Sequence, residues 1–134
     1  MTLQLSTGVR NAVLDSIETA IGASAVLKIR TGAAPASCAA ADSGTVLASL
    51  SLPADWMAAA SDGVKAKSGT WEDVNADASG IAEHFRIYAA DDTCHLQGTV
   101  TLKDGGGHLE VNNTDIKPTQ VFEVTRFELR APGA

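Results

Sequence analysis

Residues Ile81–Leu102, IAEHFRIYAADDTCHLQGTVTL, predict two β-strands joined by a polar turn. Phe85 and Ile87 alternate with polar or mixed side chains, which gives the first strand one apolar face. Asp91–Thr93 supplies turn chemistry, because short polar side chains can hydrogen-bond to their own backbone. A strand pair needs further strands or a helix to bury its apolar face. The second strand keeps the alternation at Leu96, Gly98, Val100 and Leu102.

Upstream of this pair, the sequence predicts one α-helix over residues 3–21. Its apolar positions recur at helical spacing, and Leu14 widens the stripe that they form. Ser6 or Thr7 is placed to cap the helix, and Gly22 to end it. The apolar stripe consists of Val9, Val13, Ile17 and Ile21, and the face expected toward solvent carries Arg10, Asp15, Ser16 and Glu18.

The rest of the chain predicts short strands separated by turns, and residues 55–60 are open between a helical turn and a strand. Phe122 and Val124 are in the opposite phase to Phe127 and Leu129, which predicts either a bulge near Thr125–Arg126 or a strand that serves two faces. The pattern favours an all-β single domain over residues 1–134: an antiparallel β-sandwich over about residues 25–130, jelly-roll-like, after the one N-terminal helix. The strands are predicted at Ala25–Thr31, Thr45–Leu52, twice within Val64–Val74, at His108–Asn112 and at Gln120–Arg130.

Charge and hydropathy exclude several classes of partner. The formal net charge of the chain is −6, and the ten basic residues are scattered along it. We therefore expect that the protein binds neither nucleic acid nor an anionic membrane. No run approaches the ~20 apolar residues of a membrane span, and residues 1–10 do not resemble a secretory signal. Cys38 and Cys94 are therefore expected to be reduced thiols, with a disulfide left open for an oxidising medium.

Few residues suggest chemistry. Cys94 and His95, with His84 and His108 nearby, fall short of the four closely spaced ligands of a structural zinc site. Asp91–Asp92 is typical of a solvated turn. The chain has no G-x-S-x-G nucleophile elbow and no phosphate loop around Gly105–Gly107. We therefore predict no catalytic residues, no metal, no cofactor and no enzymatic activity.

Trp56 and Trp71 allow three interpretations. On an all-β module they could stack on a sugar ring, anchor a subunit interface, or close the ends of the core.

Four segments together resemble a family of small virion proteins encoded by tailed bacteriophages and prophages. They are LSTGVRNAVLDSIETAIG (5–22), LKIRTGAAPASCAAADSGTVLASLSLPADWMAAA (27–60), KAKSGTW (65–71) and HFRIYAADDTCHLQGTVTL (84–102). The family is similar to the jelly-roll cement, or decoration, proteins on the capsids of some short-tailed phages. The chain departs from it in the charged residues of its last third, Lys103, His108, Glu110, Lys117, Glu123, Arg126, Glu128 and Arg130.

The resemblance implies a structural protein on the capsid exterior of a virion assembled in the bacterial host cytoplasm. Its implied partners are the major capsid protein and further copies of itself, as a dimer or trimer. Two alternatives are a neck or tail-fibre adaptor and a surface carbohydrate-binding module. Contact with another chain is expected at an N-terminal arm, Met1–Leu5, and at a C-terminal strand that could be an edge, Phe122–Arg130. The interface candidates are Leu3, Leu5, Trp56, Trp71, Phe122 and Phe127.

Overall fold

In a computed structural model, which describes residues 3–133, the chain forms one helix and a curled β-sheet. The helix, α1 (Thr7–Ile21), begins after Ser6, whose Oγ accepts a hydrogen bond from the Val9 backbone N–H at 3.2 Å. It ends at Gly22, where φ is +93° and the N–H donates to the Glu18 carbonyl at 2.9 Å. The prediction of a helix is confirmed, but residues 3–6 lie outside it because Ser6 takes the extended backbone of an N-cap.

Residues 3–133 contribute ten strands. They are β1 (Val26–Arg30), β2 (Val46–Ser51), β3 (Val64–Ala66), β4 (Glu72–Asp73), β5 (Gly80–Ile81), β6 (His84–Tyr88), β7 (Cys94–Leu102), β8 (Leu109–Val111), β9 (Asp115–Ile116) and β10 (Phe122–Arg130). The undecided segment at 55–60 is neither helix nor named strand; Met57 forms a single bridge with Lys67. The all-β prediction with one helix is confirmed at this level.

The main sheet has the order β2-β1-β6-β7-β8-β10-β3, with β4 also paired to β10, while β5 and β9 form a separate two-stranded sheet. The central pair predicted from the sequence, β6 with β7, is antiparallel. The β7–β8 pair is parallel. The sheet is therefore mixed, which corrects the prediction of a wholly antiparallel arrangement.

The parallel pair depends on glycines that let the chain fold back over β7. A Cβ on Gly105 would lie 2.6 Å from the Thr101 Cβ, and a Cβ on Gly107 would lie 2.8 Å from the Thr101 Cγ2. The Gly107 N–H donates to the Thr101 Oγ1 at 3.0 Å. A side chain at either position would collide with Thr101, so only glycine is compatible with the backbone of this loop.

The sheet curls so that its end strand, β2, lies against β4 and the residues that follow β4. The Ser49 N–H of β2 donates to Asp73 Oδ2 at 3.0 Å, and the Asp77 N–H donates to the Leu47 carbonyl at 2.8 Å. These bonds occupy part of the outer edge of β2. Exposed strand edges invite pairing with other chains, and this contact protects one of them.

Strand β10 is interior to the sheet. It pairs with β8 on one side and with β3 and β4 on the other. The expectation that Phe122–Arg130 is an edge strand free to pair with another chain is therefore wrong. The predicted bulge is confirmed, since the pairing register with β8 shifts between Val124 and Arg126. The shift turns both apolar phases of the strand toward the core, where Phe122, Val124 and Phe127 are buried.

The core contains a chain of aromatic rings. Trp71 lies between Trp56 and Phe127, with ring centroids 5.9 Å and 5.5 Å apart. Phe127 meets Phe85 edge to face at 5.7 Å. These arrangements are favourable for aromatic pairs, and the rings supply much of the apolar area that the many alanines do not.

The helix packs on its own chain in an orientation that differs from the predicted one. Leu14 and Ile21 are buried, whereas Val9 and Val13 are nearly half exposed, at 48% and 45%. Ile17 packs against the core as predicted, but part of the face expected toward solvent, Asp15 and Glu18, contacts β3, because a buried lysine there, Lys65, needs anionic partners.

Lys65 is the centre of that helix–sheet contact. Its Nζ lies 2.6 Å from Asp15 Oδ1 and 3.0 Å from Glu18 Oε1. Burial alone would lower the pKa of Lys65, but the hydrogen bonds to the two carboxylates outweigh it and raise that pKa. The bond from Lys65, helped by one from the Ala60 N–H, lowers the pKa of Asp15.

Candidate functional site

The most elaborate polar arrangement lies where the loop between β1 and β2 (residues 31–45, the β1–β2 loop) crosses the face of β6 that the sequence predicts to be mixed. All five residues of β6 are buried, including Arg86 at 1% exposure. The loop supplies carbonyls in place of water. Gln97, opposite Arg86 on β7, donates from Nε2 to the Pro35 carbonyl at 2.7 Å.

Arg86 binds the loop through its guanidinium. Nη2 donates to three loop carbonyls, those of Ser37 at 3.2 Å, Cys38 at 2.9 Å and Ala40 at 3.1 Å. Nε donates to Gln97 Oε1 at 3.1 Å, and Nη1 donates to Asp42 Oδ1. The fixed fork of an arginine suits such a set of acceptors, which a lysine could not reproduce. Arg86 therefore holds the β1–β2 loop on the sheet.

Asp42 is the shared anion of this cluster. The Tyr88 hydroxyl donates to Oδ1 at 2.6 Å, and Arg30 Nη2 donates to Oδ2 at 3.1 Å. The bond from Tyr88, together with the Arg86 and Arg30 guanidinium groups, lowers the pKa of Asp42. Burial and the bond to Asp42 raise the pKa of Tyr88. Two buried guanidinium groups thus share one carboxylate whose side chain is 43% exposed, and the hydrogen bonds among them form a structural clamp between loop and sheet.

The two cysteines lie beside this clamp. Both are half-buried free thiols, and both line an open cavity of about 320 Å³ with Arg86, Tyr88 and Asp42. The Cys94 Sγ donates to the Leu96 carbonyl at 3.4 Å. Burial, with the neighbouring Cys38 side chain, raises the pKa of Cys94 to about 11. Cys94 is therefore a thiol at neutral pH.

A second polar surface involves the charged residues of the last third of the chain. A cavity of about 190 Å³ is lined by Glu110, Arg126, Glu128 and Arg130 together with His108. Glu110 is buried, accepts from the Asp104 N–H at 3.1 Å, and pairs with Arg126 at 3.4 Å. On this surface two acids, Glu110 and Glu128, are paired with two bases, Arg126 and Arg130.

The interface candidates fall into two groups. Trp56, Trp71, Phe122 and Phe127 are at most 2% exposed, and the two indole N–H groups donate to carbonyls of the same chain. Their location matches the core interpretation of the tryptophans, and neither indole is open to stack on a sugar. Leu3 and Leu5 form the second group: Leu3 is 81% exposed and Leu5 is half-buried. The large apolar residues exposed over residues 3–133 are Leu3, Val9, Val13, Val74, Ile81, Leu102 and Val121.

The N-terminal arm is described from residue 3 onward. The Leu5 backbone N–H donates to the Gly133 carbonyl at 2.7 Å. Met1 and Thr2, which belong to the predicted contact arm, lie outside the described residues. The described part of the arm is thus joined to the C-terminal end of the chain.

The histidines considered as metal ligands do not come together. His84 is buried and bonds through Nδ1 to the Gly32 carbonyl at 2.7 Å, His95 is exposed, and His108 packs against Gly98. Residues 3–133 contain no group of three or more histidine, cysteine or acidic side chains that could hold a metal ion. Asp91 accepts from the Thr93 N–H at 3.1 Å, as expected for a turn. Within the same residues, no helix is long and apolar enough to cross a membrane.

Sequence reasoning missed the Arg86 clamp, the Lys65 pair and the proximity of the cysteines. One local signal did exist, a positively charged residue between Phe85 and Ile87 on a central strand. It could have predicted a partner for Arg86, although not which loop supplies it.

Searches against family models, curated proteins and solved structures found no match to this chain.

Proposed function

We propose that this chain is a non-enzymatic structural protein of a tailed bacteriophage, a cement or decoration protein. It binds the major capsid protein on the outer surface of the capsid and strengthens contacts between capsomers. The observation that carries the proposal is the resemblance of four segments, at 5–22, 27–60, 65–71 and 84–102, to small phage virion proteins.

The jelly-roll relationship is part of this proposal. A curled all-β sheet with a chain of aromatic rings inside it supports the relationship. The parallel β7–β8 pair is a departure from the antiparallel jelly roll, and it is confined to three residues of each strand.

The form of the domain supports a structural role. The β1–β2 loop is fixed by Arg86, the helix is fixed by Lys65, and the outer edge of β2 is bonded to the 73–77 segment. A cement protein needs a rigid body that does not polymerise through its strand edges. Its net charge of −6 would also keep it from binding DNA.

The neck or tail-fibre adaptor is the second candidate, since the same resemblance would support it. The two roles differ in copy number and position. A cement protein is present in hundreds of copies over the shell, whereas an adaptor forms a small ring at one vertex. The carbohydrate-binding alternative loses its stacking residues, because Trp56 and Trp71 are buried.

The test is the copy number and position of this chain in purified virions, measured by quantitative gel electrophoresis and electron cryomicroscopy. Hundreds of copies over the shell would support the cement role. A ring at one vertex would contradict the cement role and support the adaptor role, and absence from virions would overturn both roles.

Two pairs of exposed valines allow a sharper binding experiment on shells that lack the protein. One variant carries Val9→Asp and Val13→Asp on the helix, and the other carries Val74→Asp and Val121→Asp beside the β4–β10 pair. All four side chains are 45–63% exposed, so both variants should fold. Loss of shell binding in one variant but not the other locates the contact surface. Failure of the unmodified chain to bind shells would count against the cement role.

A further inference from the structure

Cys38 and Cys94 are far apart in sequence, and the fold brings them to one place. Cys94 begins β7 and pairs with Tyr88, two residues along β6 from Arg86. Tyr88 and Arg86 lie on the same face of β6, because side chains alternate along a strand. Arg86 Nη2 holds the Cys38 carbonyl at 2.9 Å over that face.

The surroundings make both thiols accessible. Each is half-buried, and each lines the same open cavity of about 320 Å³. A small oxidant can therefore reach them from solvent. Cys38 is also constrained, because Arg86 bonds to its carbonyl and to those of Ser37 and Ala40. The β1–β2 loop thus presents Cys38 to Cys94 before any covalent bond exists.

We propose that Cys38 and Cys94 form an intrachain disulfide when the protein meets a low-molecular-weight disulfide such as oxidised glutathione. A thiolate of Cys38 attacks the glutathione disulfide and releases one glutathione thiolate. Cys94, on losing its proton to solvent, then attacks the Cys38 sulfur of the mixed disulfide and releases the second glutathione. The two cysteines are together oxidised by two electrons, and one glutathione disulfide is reduced to two glutathione thiols.

Cys38 is assigned the first attack because the proton of Cys94 is held in a hydrogen bond from Sγ to the Leu96 carbonyl at 3.4 Å. Burial, with the neighbouring Cys38, raises the pKa of Cys94 to about 11. The thiolate, not the thiol, is the nucleophile in this exchange.

The bond would add a covalent link to a contact that Arg86 and Asp42 already make. It would join the β1–β2 loop to β7 and close the chain from residue 38 to residue 94. Cross-linking a long segment restricts the unfolded chain, and a typical effect on a domain of this size is a Tm increase of roughly 10 °C. The inference does not depend on the proposed function, although a particle released into an oxidising medium would meet such conditions.

The experiment compares fully reduced protein with protein incubated in oxidised glutathione at neutral pH. We expect an intact mass lower by two hydrogen atoms, a Cys38–Cys94 cross-linked peptide after digestion, and a higher Tm that reverts on reduction. The controls are Cys38→Ser and Cys94→Ser, each of which should show no Tm increase. Stable glutathione adducts on both cysteines, disulfide-linked dimers, or two thiols that remain alkylatable would each overturn the proposal.

A second measurement covers the case in which a serine variant does not fold. Unmodified protein is sampled during oxidation and quenched with an alkylating agent. The mixed disulfide should appear first on Cys38 and disappear as the intrachain bond forms. Accumulation of the adduct on Cys94 alone would contradict the proposed order of attack.

Discussion

Replacing Arg86 with methionine tests whether this guanidinium holds the β1–β2 loop on the sheet. Arg86 is 1% exposed and makes five hydrogen bonds, to Gln97, Asp42 and three loop carbonyls. Methionine retains much of the apolar stem but none of these bonds. We expect the free energy of unfolding to fall substantially.

The magnitude follows from what the substitution leaves behind. Removing one member of a fully buried ion pair costs about 3–5 kcal/mol, but here only Arg86 is buried and the Asp42 side chain is 43% exposed. Asp42 keeps its bonds from Tyr88 and Arg30, and water can reach part of the loop, so we expect the lower end, about 3 kcal/mol. For a chain of this size, that loss corresponds to a Tm decrease of roughly 10 °C.

The assay is urea unfolding followed by tryptophan fluorescence, since Trp56 and Trp71 are both buried and report loss of the core. The matched control is Arg130→Met, which removes a 67% exposed side chain that pairs with Glu128. Exposed pairs contribute less than about 1 kcal/mol. If the two variants were equally stable, Arg86 would not be a structural clamp and the reasoning would be refuted.

Two further predictions concern pH and packing. The pKa values of Asp15 and Asp42 are held below the ordinary 3.8. The two carboxylates therefore contribute fully to the free energy of unfolding above about pH 4, and this contribution is lost as the pH falls through the lowered pKa values. Urea midpoints from pH 6 to 3 should therefore decline less in an Asp15→Asn, Asp42→Asn double variant, and equal slopes would contradict this. Gly98→Ala should cost about 1–3 kcal/mol, because its Cβ would lie 2.9 Å from the Phe85 ring. Gly8→Ala, in open space, should cost nothing, and equal thermal stability of these two variants would disprove the close packing.

The sequence predicted well those features that depend on neighbouring residues. The helix ends at Gly22, the antiparallel pair turns at Asp91–Thr93, and the register of β10 shifts near Thr125. Each follows from hydrophobic periodicity or turn chemistry within a few residues, which is the range over which such patterns act.

Prediction from the sequence failed where residues distant in the chain changed the environment of a side chain. Asp15 and Glu18 of the polar face of α1 contact β3 because Lys65 is buried there, and β10 became an interior strand because β3 and β4 pair with its second side. Periodicity within one element cannot reveal which other element will cover it.

The amino-acid sequence by itself thus determined a single helix and a set of short strands with apolar faces to bury. Tertiary structure decided that the sheet is mixed and curled, that the β1–β2 loop is clamped by Arg86, and that Cys38 lies beside Cys94. The physical reason is that hydrogen bonding and side-chain alternation are local rules, whereas these three features require residues tens of positions apart to meet. Such meetings are selected by the free energy of the whole packed chain.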